Sequence, residues 1–89
     1  MIMSYTITYS REAARQMIKL RKRNERNARR IASAIEAMAT DPFAGDVKRM
    51  KGAPYYRRRV GDWRIIFDVD GDRLVIEIVK IDHRRQVYR

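Results

Sequence analysis

Hydrophobic and polar positions alternate with a period of two over residues 2–9, IMSYTITY. Tyr5, Ile7 and Tyr9 share one parity and Ser4, Thr6 and Thr8 the other, which predicts a half-buried strand. From Ser10 the period changes. Ser10 is placed to cap a helix reaching about residue 23, in which Ala14 and Ile18, and Met17 and Leu20, are spaced to share a buried face. A second helix over about 25–39 follows from Ala28, Ile31, Ala32, Ile35, Met38 and Ala39, which recur at three- and four-residue intervals. The two helices are expected to form a hairpin around the basic run RKRNER, read as a solvated turn whose cations suit a helix C-terminus. Asp41-Pro42 stops the second helix, because proline disfavours helical backbone in the residue before it, and Ala44-Gly45-Asp46 continues as loop.

Beyond residue 55 aromatic and β-branched residues dominate, in YYRRRV (55–60), WRIIFDV (63–69) and LVIEIVKI (74–81). Gly61-Asp62 separates the first two, and Asp70-Gly71-Asp72, a hairpin signal, separates the last two. The third run is apolar on both parities and is expected to lie centrally in the sheet. The pattern predicts one α+β domain over residues 1–89: an N-terminal strand, a helical hairpin, then a C-terminal antiparallel three-stranded meander, forming one sheet with the helices on one face.

Charge changes the picture from a generic small domain to a polyanion binder. Lys and Arg number 21 against 11 Asp and Glu, a formal net charge of +10. No long apolar run exists and the basic residues are evenly spread, which argues against a membrane and leaves nucleic acid or an acidic protein as partners. The absence of cysteine excludes disulfides, thiolate catalysis and Cys-based zinc sites, and only one histidine is present, so neither a metal nor another cofactor is expected. The short alternating N-terminal stretch lacks an apolar signal core, and a cytoplasmic location is expected.

The charge is densest in YYRRRVGDWR (55–64), where like charges repel unless a partner supplies negative charge, and RNA phosphate is the partner this density suggests. Parity sends Arg57 and Arg59 to one face and Tyr56, Arg58 and Val60 to the other. Trp63, Ile65 and Phe67 share a side and read as core; whether Arg64 rejoins Arg57 and Arg59 depends on the bend at Gly61-Asp62. A solvated charged edge that blocks strand aggregation is the competing reading. Lys48, Arg49 and Lys51 in VKRMKG (47–52) either extend a basic groove along an RNA backbone or form an ordinary soluble loop.

The ending IDHRRQVYR then supplies His83, Arg84, Arg85, Tyr88 and Arg89. Phosphodiester cleavage requires removal of the 2′-hydroxyl proton, stabilisation of the phosphorane charge and protonation of the leaving 5′-oxygen. Arginine fits only the middle role, since its planar fork grips two phosphate oxygens and it does not give up a proton. Tyr88, His83 or a lysine must then carry protons, and surrounding arginines would favour the Tyr88 phenolate.

The K-x-x-K-G loop at 48–52, the R-V-G-D-[aromatic]-R-[aliphatic] strand at 59–65 and the closing H-R-x-x-V-Y at 83–88 together resemble the RelE branch of the RelE/ParE toxin superfamily, over essentially the whole chain. The resemblance implies that fold and a bacterial toxin acting as a ribosome-dependent, metal-independent mRNA endoribonuclease (an mRNA interferase) in the ribosomal A site. It also implies a cognate acidic antitoxin that silences it within a toxin–antitoxin hetero-oligomer. In this likeness Arg64 matches the arginine that stabilises the phosphorane, and Arg84 and Tyr88 match active-site residues. Arg57 and Arg59 stand where well-known members carry lysines, a departure that shifts proton transfer toward Tyr88 or His83. The expected catalytic set is Arg59, Arg64, His83, Arg84 and Tyr88, with Lys48, Arg49, Lys51, Arg57 and Arg85 contacting RNA. ParE-like inhibition of DNA gyrase on the same scaffold, and a non-catalytic RNA-binding module, are the alternatives.

Overall fold

The structure, a computed structural model, describes residues 4–83. In chain order they form β1 (Thr6–Tyr9), α1 (Arg11–Arg23), α2 (Glu25–Met38), β2 (Val47–Arg49), β3 (Tyr56–Val60), β4 (Trp63–Asp70) and β5 (Val75–His83). The expected α+β architecture is present, with one more strand than the sequence pattern predicts. β2 is three residues long and mostly charged, too short to show a period, and pairing with β3 rather than its own composition makes it a strand. The sheet has five strands in the order β1-β5-β4-β3-β2; β1 runs parallel to β5 and all other pairs are antiparallel. β5 is interior, as its apolar run predicts, with β4 at the exact centre.

Asn24 joins the two helices: its N–H donates to the Leu20 carbonyl at the end of α1, and its side-chain oxygen accepts from Asn27 N–H at the start of α2. The buried face of α1 is Ala13, Met17 and Leu20, so the predicted Ala14–Ile18 pair is displaced, and Ile18 is exposed. Choosing Ala13 over Ala14 rotates the stripe by one position, a difference that small residues leave open in sequence. On α2 the buried positions are Ala28, Ile31, Ala34, Ile35 and Met38, close to expectation. They pack on Ile65, Phe67, Ile76, Ile78 and Ile81 from one face of the sheet, so both helices cover that face.

Simple alternation would put Ile81 opposite Ile76 and Ile78, yet all three are buried in the same core. A β-bulge resolves this. Ile66 pairs with Lys80 but Phe67 pairs with Ile78, leaving Val79 as one extra residue in β5. Ser10 fastens the irregularity: its N–H donates to the Ile78 carbonyl, and its Oγ donates to the Val79 carbonyl at 2.6 Å while accepting from Ala13 N–H as the α1 cap. The β4–β5 connection also differs from a tight Asp-Gly turn. Asp70 pairs with Val75, residues 71–74 form the loop, and Leu74 rather than Gly71 has positive φ, at 55°.

Candidate functional site

The β3–β4 hairpin sets the geometry. Val60 pairs with Trp63 across a two-residue turn, and Gly61 at φ 60° takes its first central position, a conformation that glycine adopts without steric cost. The tight turn inserts no extra residue, so Arg59 lies directly opposite Arg64 and Arg57 opposite Ile66. Directly paired residues share a face. Arg64 therefore rejoins Arg57 and Arg59 on the side of the sheet away from the helices.

Register extends this face into two basic rows, bordered by a third that carries the exposed carboxylates of Asp68 and Glu77. Lys48, Arg57, Ile66 and Lys80 lie across β2, β3, β4 and β5, and beside them run Arg59, Arg64 and Asp82. With strands about 4.8 Å apart, five cations and one carboxylate crowd a small surface. Lys80 and Asp82 escape sequence reasoning because plain alternation would set them with Ile78 against the helices. The bulge at Val79 returns them to the open face.

Arg64 is the least solvated cation of this array for which an ion pair is seen. Its side chain is 16% exposed, and its Nη2 lies 3.9 Å from Asp82 Oδ2, beyond hydrogen-bond distance. Lys80 Nζ approaches the other oxygen of Asp82 at 3.6 Å, so the one carboxylate is divided between two cations. Arg64 Nε is buried and has no hydrogen-bond partner among the described residues. A buried donor left unsatisfied on a charged group is costly, and an arriving oxyanion would relieve it.

The middle arginine of the triplet has a different task. Arg58 points to the helix side, where its Nη1 donates to the Ala44 carbonyl at 2.8 Å. Its guanidinium stacks so closely on the 41–46 loop that a Cβ at Gly45 would lie 2.9 Å from Cζ. Arg58 thus braces the loop leading into β2. At the next turn of that edge, Arg49 lies with its guanidinium 5.8 Å from the Tyr56 ring, which in turn contacts Phe43 and Phe67. Lys48, Arg49, Lys51 and Arg57, with Met50, line a concavity of ≈ 290 Å³ beside the open face. The loop segment thus joins Arg57 in one basic groove.

His83 is not on the open face. It pairs with Trp63, their ring centroids 4.8 Å apart, and with Lys19, Arg23 and Gln16 of α1 it lines a cleft on the helix side. Arg84, Arg85 and Tyr88 lie outside the described residues. Among the described residues no group of three or more His, Cys, Asp or Glu side chains is assembled to hold a metal ion. Among those residues, too, no helix is long and apolar enough to cross a membrane.

Residues 7–88 match the family model described as the ParE toxin of type II toxin-antitoxin systems, parDE. The chain is a RelE/ParE-family toxin of a type II toxin-antitoxin system. The toxin is 27% identical over 88 residues to toxin RelG of Mycobacterium tuberculosis, covering 98% of this chain and 99% of that protein. Its fold superposes on the archaeal RelE of the RelE–RelB complex from Pyrococcus horikoshii with a TM-score of 0.76 and 26% identity, over 92% and 97% of the two chains. A YoeB/ParE toxin from Agrobacterium tumefaciens is similar in fold, with a TM-score of 0.78 at 20% identity over 88% and 96% of the chains.

Proposed function

We propose that this toxin is a ribosome-dependent mRNA endoribonuclease that cleaves message in the A site, in the cytoplasm where translating ribosomes are found. The observation that carries the reading is Arg64: a largely buried side chain whose Nε is unpartnered among the described residues, set with Arg57, Arg59 and Lys48 on one open sheet face. Such an array matches the charge that builds on a phosphorane and on the phosphates flanking it. In this scheme Arg64 stabilises the phosphorane with Arg59 paired opposite it, and Arg84 is assigned to the same task. Arg57, Lys48, Arg49, Lys51 and Arg85 hold the RNA backbone. Arginine is a poor proton acceptor, so the proton steps fall to Tyr88, five residues beyond the end of β5, in preference to His83, which faces Trp63 on the helix side.

The proposal includes an acidic antitoxin bound in a hetero-oligomer. A net charge of +10 favours fast association with an acidic chain, and the RelE of P. horikoshii was solved with RelB. The ParE name of the matching family supports a second reading, inhibition of DNA gyrase through the same scaffold.

Arg64→Ala on programmed ribosomes tests the first reading. Message cleavage is expected to fall by about 10²-fold or more, the usual effect of removing one charge-stabilising donor, with thermal unfolding still cooperative. Full activity in the folded variant removes Arg64 from the site. In parallel, gyrase supercoiling should be unaffected by the unmodified toxin; blocked supercoiling with intact message would replace the endoribonuclease by the gyrase reading.

A further inference from the structure

A second cluster of guanidinium groups lies on the opposite side of β3 from Arg57 and Arg59. Arg29 and Arg30 on α2, Arg58 on β3 and the Ser33 hydroxyl line a concavity of ≈ 500 Å³, walled by Ala34 and Val60. β2 pairs with residues 56–58 and the Asp46 carbonyl accepts from Arg59 N–H at 3.0 Å, so the concavity lies over the side chains of β3 and not over an open strand edge. Arg30 reaches over the hairpin turn, where a Cβ on Gly61 would lie 3.2 Å from its Nη2.

These cations are poorly neutralised. Among the described residues the one ion pair in the group is Arg29 with Glu25, at 2.8 Å, with side chains 78% and 64% exposed, so solvent screens it. Arg58 Nε is buried and unpartnered among the described residues. Three like charges around one hollow raise its potential and favour an anion.

The geometry points to a second phosphate-binding site here, made by Arg29, Arg30, Arg58 and Ser33, that takes the sugar-phosphate backbone of RNA on the helix side of β3. It goes beyond the cleavage reading, because it needs no chemistry at Arg64 and would operate in a non-catalytic binder equally well. An acidic polypeptide is the weaker candidate: the hollow offers only Ala34 and Val60 as apolar surface, whereas protein interfaces rest on buried apolar and aromatic anchors. The exposed large apolar side chains of the described residues, Tyr9, Ile18 and Phe43, do not line it. RNA held on both faces of one strand would be gripped around the β3–β4 hairpin, so the two sites would act on one polyanion.

The test uses the isolated full-length toxin and a fluorescent RNA hairpin whose 2′-hydroxyls are methylated, so that binding is read without cleavage. The slope of log affinity against log salt counts phosphate contacts, at roughly 0.7 to 0.9 per neutralised phosphate. Arg29→Gln with Arg30→Gln should reduce the slope by about that amount per residue; both side chains are exposed, so the fold is not at stake. Arg11→Gln with Arg15→Gln, exposed positions on α1 outside the hollow, removes the same charge. It should change the slope far less. An equal fall in both double variants would mean net charge alone, and no fall in the α2 variant would remove the site. Either result overturns the proposal. So does loss of poly-glutamate binding in the α2 variant with RNA binding unchanged, which would assign the hollow to an acidic chain. Because the probe cannot be cleaved, an inactive ribosome assay leaves this outcome readable, and Arg64→Ala should leave the α2-dependent part of the slope in place.

Discussion

Ser10→Ala should cost far more than a cap at the surface of an isolated helix. Ser10 accepts from Ala13 N–H at 3.0 Å, and the loss of a serine N-cap is worth about 1 kcal/mol. Its hydroxyl also donates to the Val79 carbonyl at 2.6 Å, part-buried and 69 residues away in sequence, and that bond contributes about another 1 kcal/mol. The sum, about 2 kcal/mol, corresponds to a Tm lower by roughly 8 to 16 °C in a domain of this size. Urea titration followed by circular dichroism would read it as a lower midpoint with unchanged slope. Two replacements separate the components. Ser10→Thr keeps a hydroxyl that both accepts and donates and should recover most of the loss. Ser10→Asp can accept from Ala13 N–H but, ionised, has nothing to donate to Val79, so it should recover the cap alone. A Ser10→Ala protein within about 0.5 kcal/mol of the unmodified one would refute the double role, as would an aspartate that performs as well as threonine.

Gly45→Ala combines a φ of 85° with a Cβ 2.9 Å from the Arg58 guanidinium, and should destabilise by about 1–3 kcal/mol in the same titration. Gly52→Ala, at φ 75° with open space around it, should cost less, so the difference reports the loop brace made by Arg58. Burial raises the Tyr9 pKa, Glu36 adds to the effect and Arg21 opposes it. The neutral phenol is thus favoured in the folded state, and its stabilisation is complete below about pH 10 and lost as pH rises through the folded value. Tyr9→Phe should flatten that alkaline decline, and an identical decline in the variant would assign it elsewhere. Asp82→Ala removes the carboxylate that pairs with both Arg64 and Lys80 on the open face, so it should tighten binding of the methylated RNA at low salt and have little effect at high salt. Weaker binding at low salt would show that Asp82 acts chiefly by holding Arg64 in place.

Helix positions and the arginine face were readable in the sequence because each rests on a local period: three and four residues for α2, two residues for β3. Arg64 was readable only conditionally, since its face depends on how many residues the Gly61-Asp62 turn inserts. Two kinds of fact had no local signal. β2 becomes a strand through its partner, and Lys80 and Asp82 change sides because Val79 is extra, a property of the pairing between β4 and β5. His83 follows the same rule. Its place against Trp63, two residues after Ile81 on the core side, comes from the shifted register and separates it from the arginines that its motif neighbours suggest.

Beyond that extra residue the β5 pairing returns to plain alternation, so chain length, rather than side-chain chemistry, sets which face each later residue takes. Deleting Val79 would let Lys80 follow Ile78 in plain alternation, so Lys80 and Asp82 would stay on the open face and Ile81 in the core, and the loss would fall on the bulge and its contact with Ser10. Substitutions can tune this surface one group at a time, whereas a single residue inserted after Lys80 would turn Ile81 out and Asp82 in, and unseat the core in the same step. Laboratory evolution of the toxin should therefore accept loss of Val79 more readily than an insertion between Lys80 and Ile81.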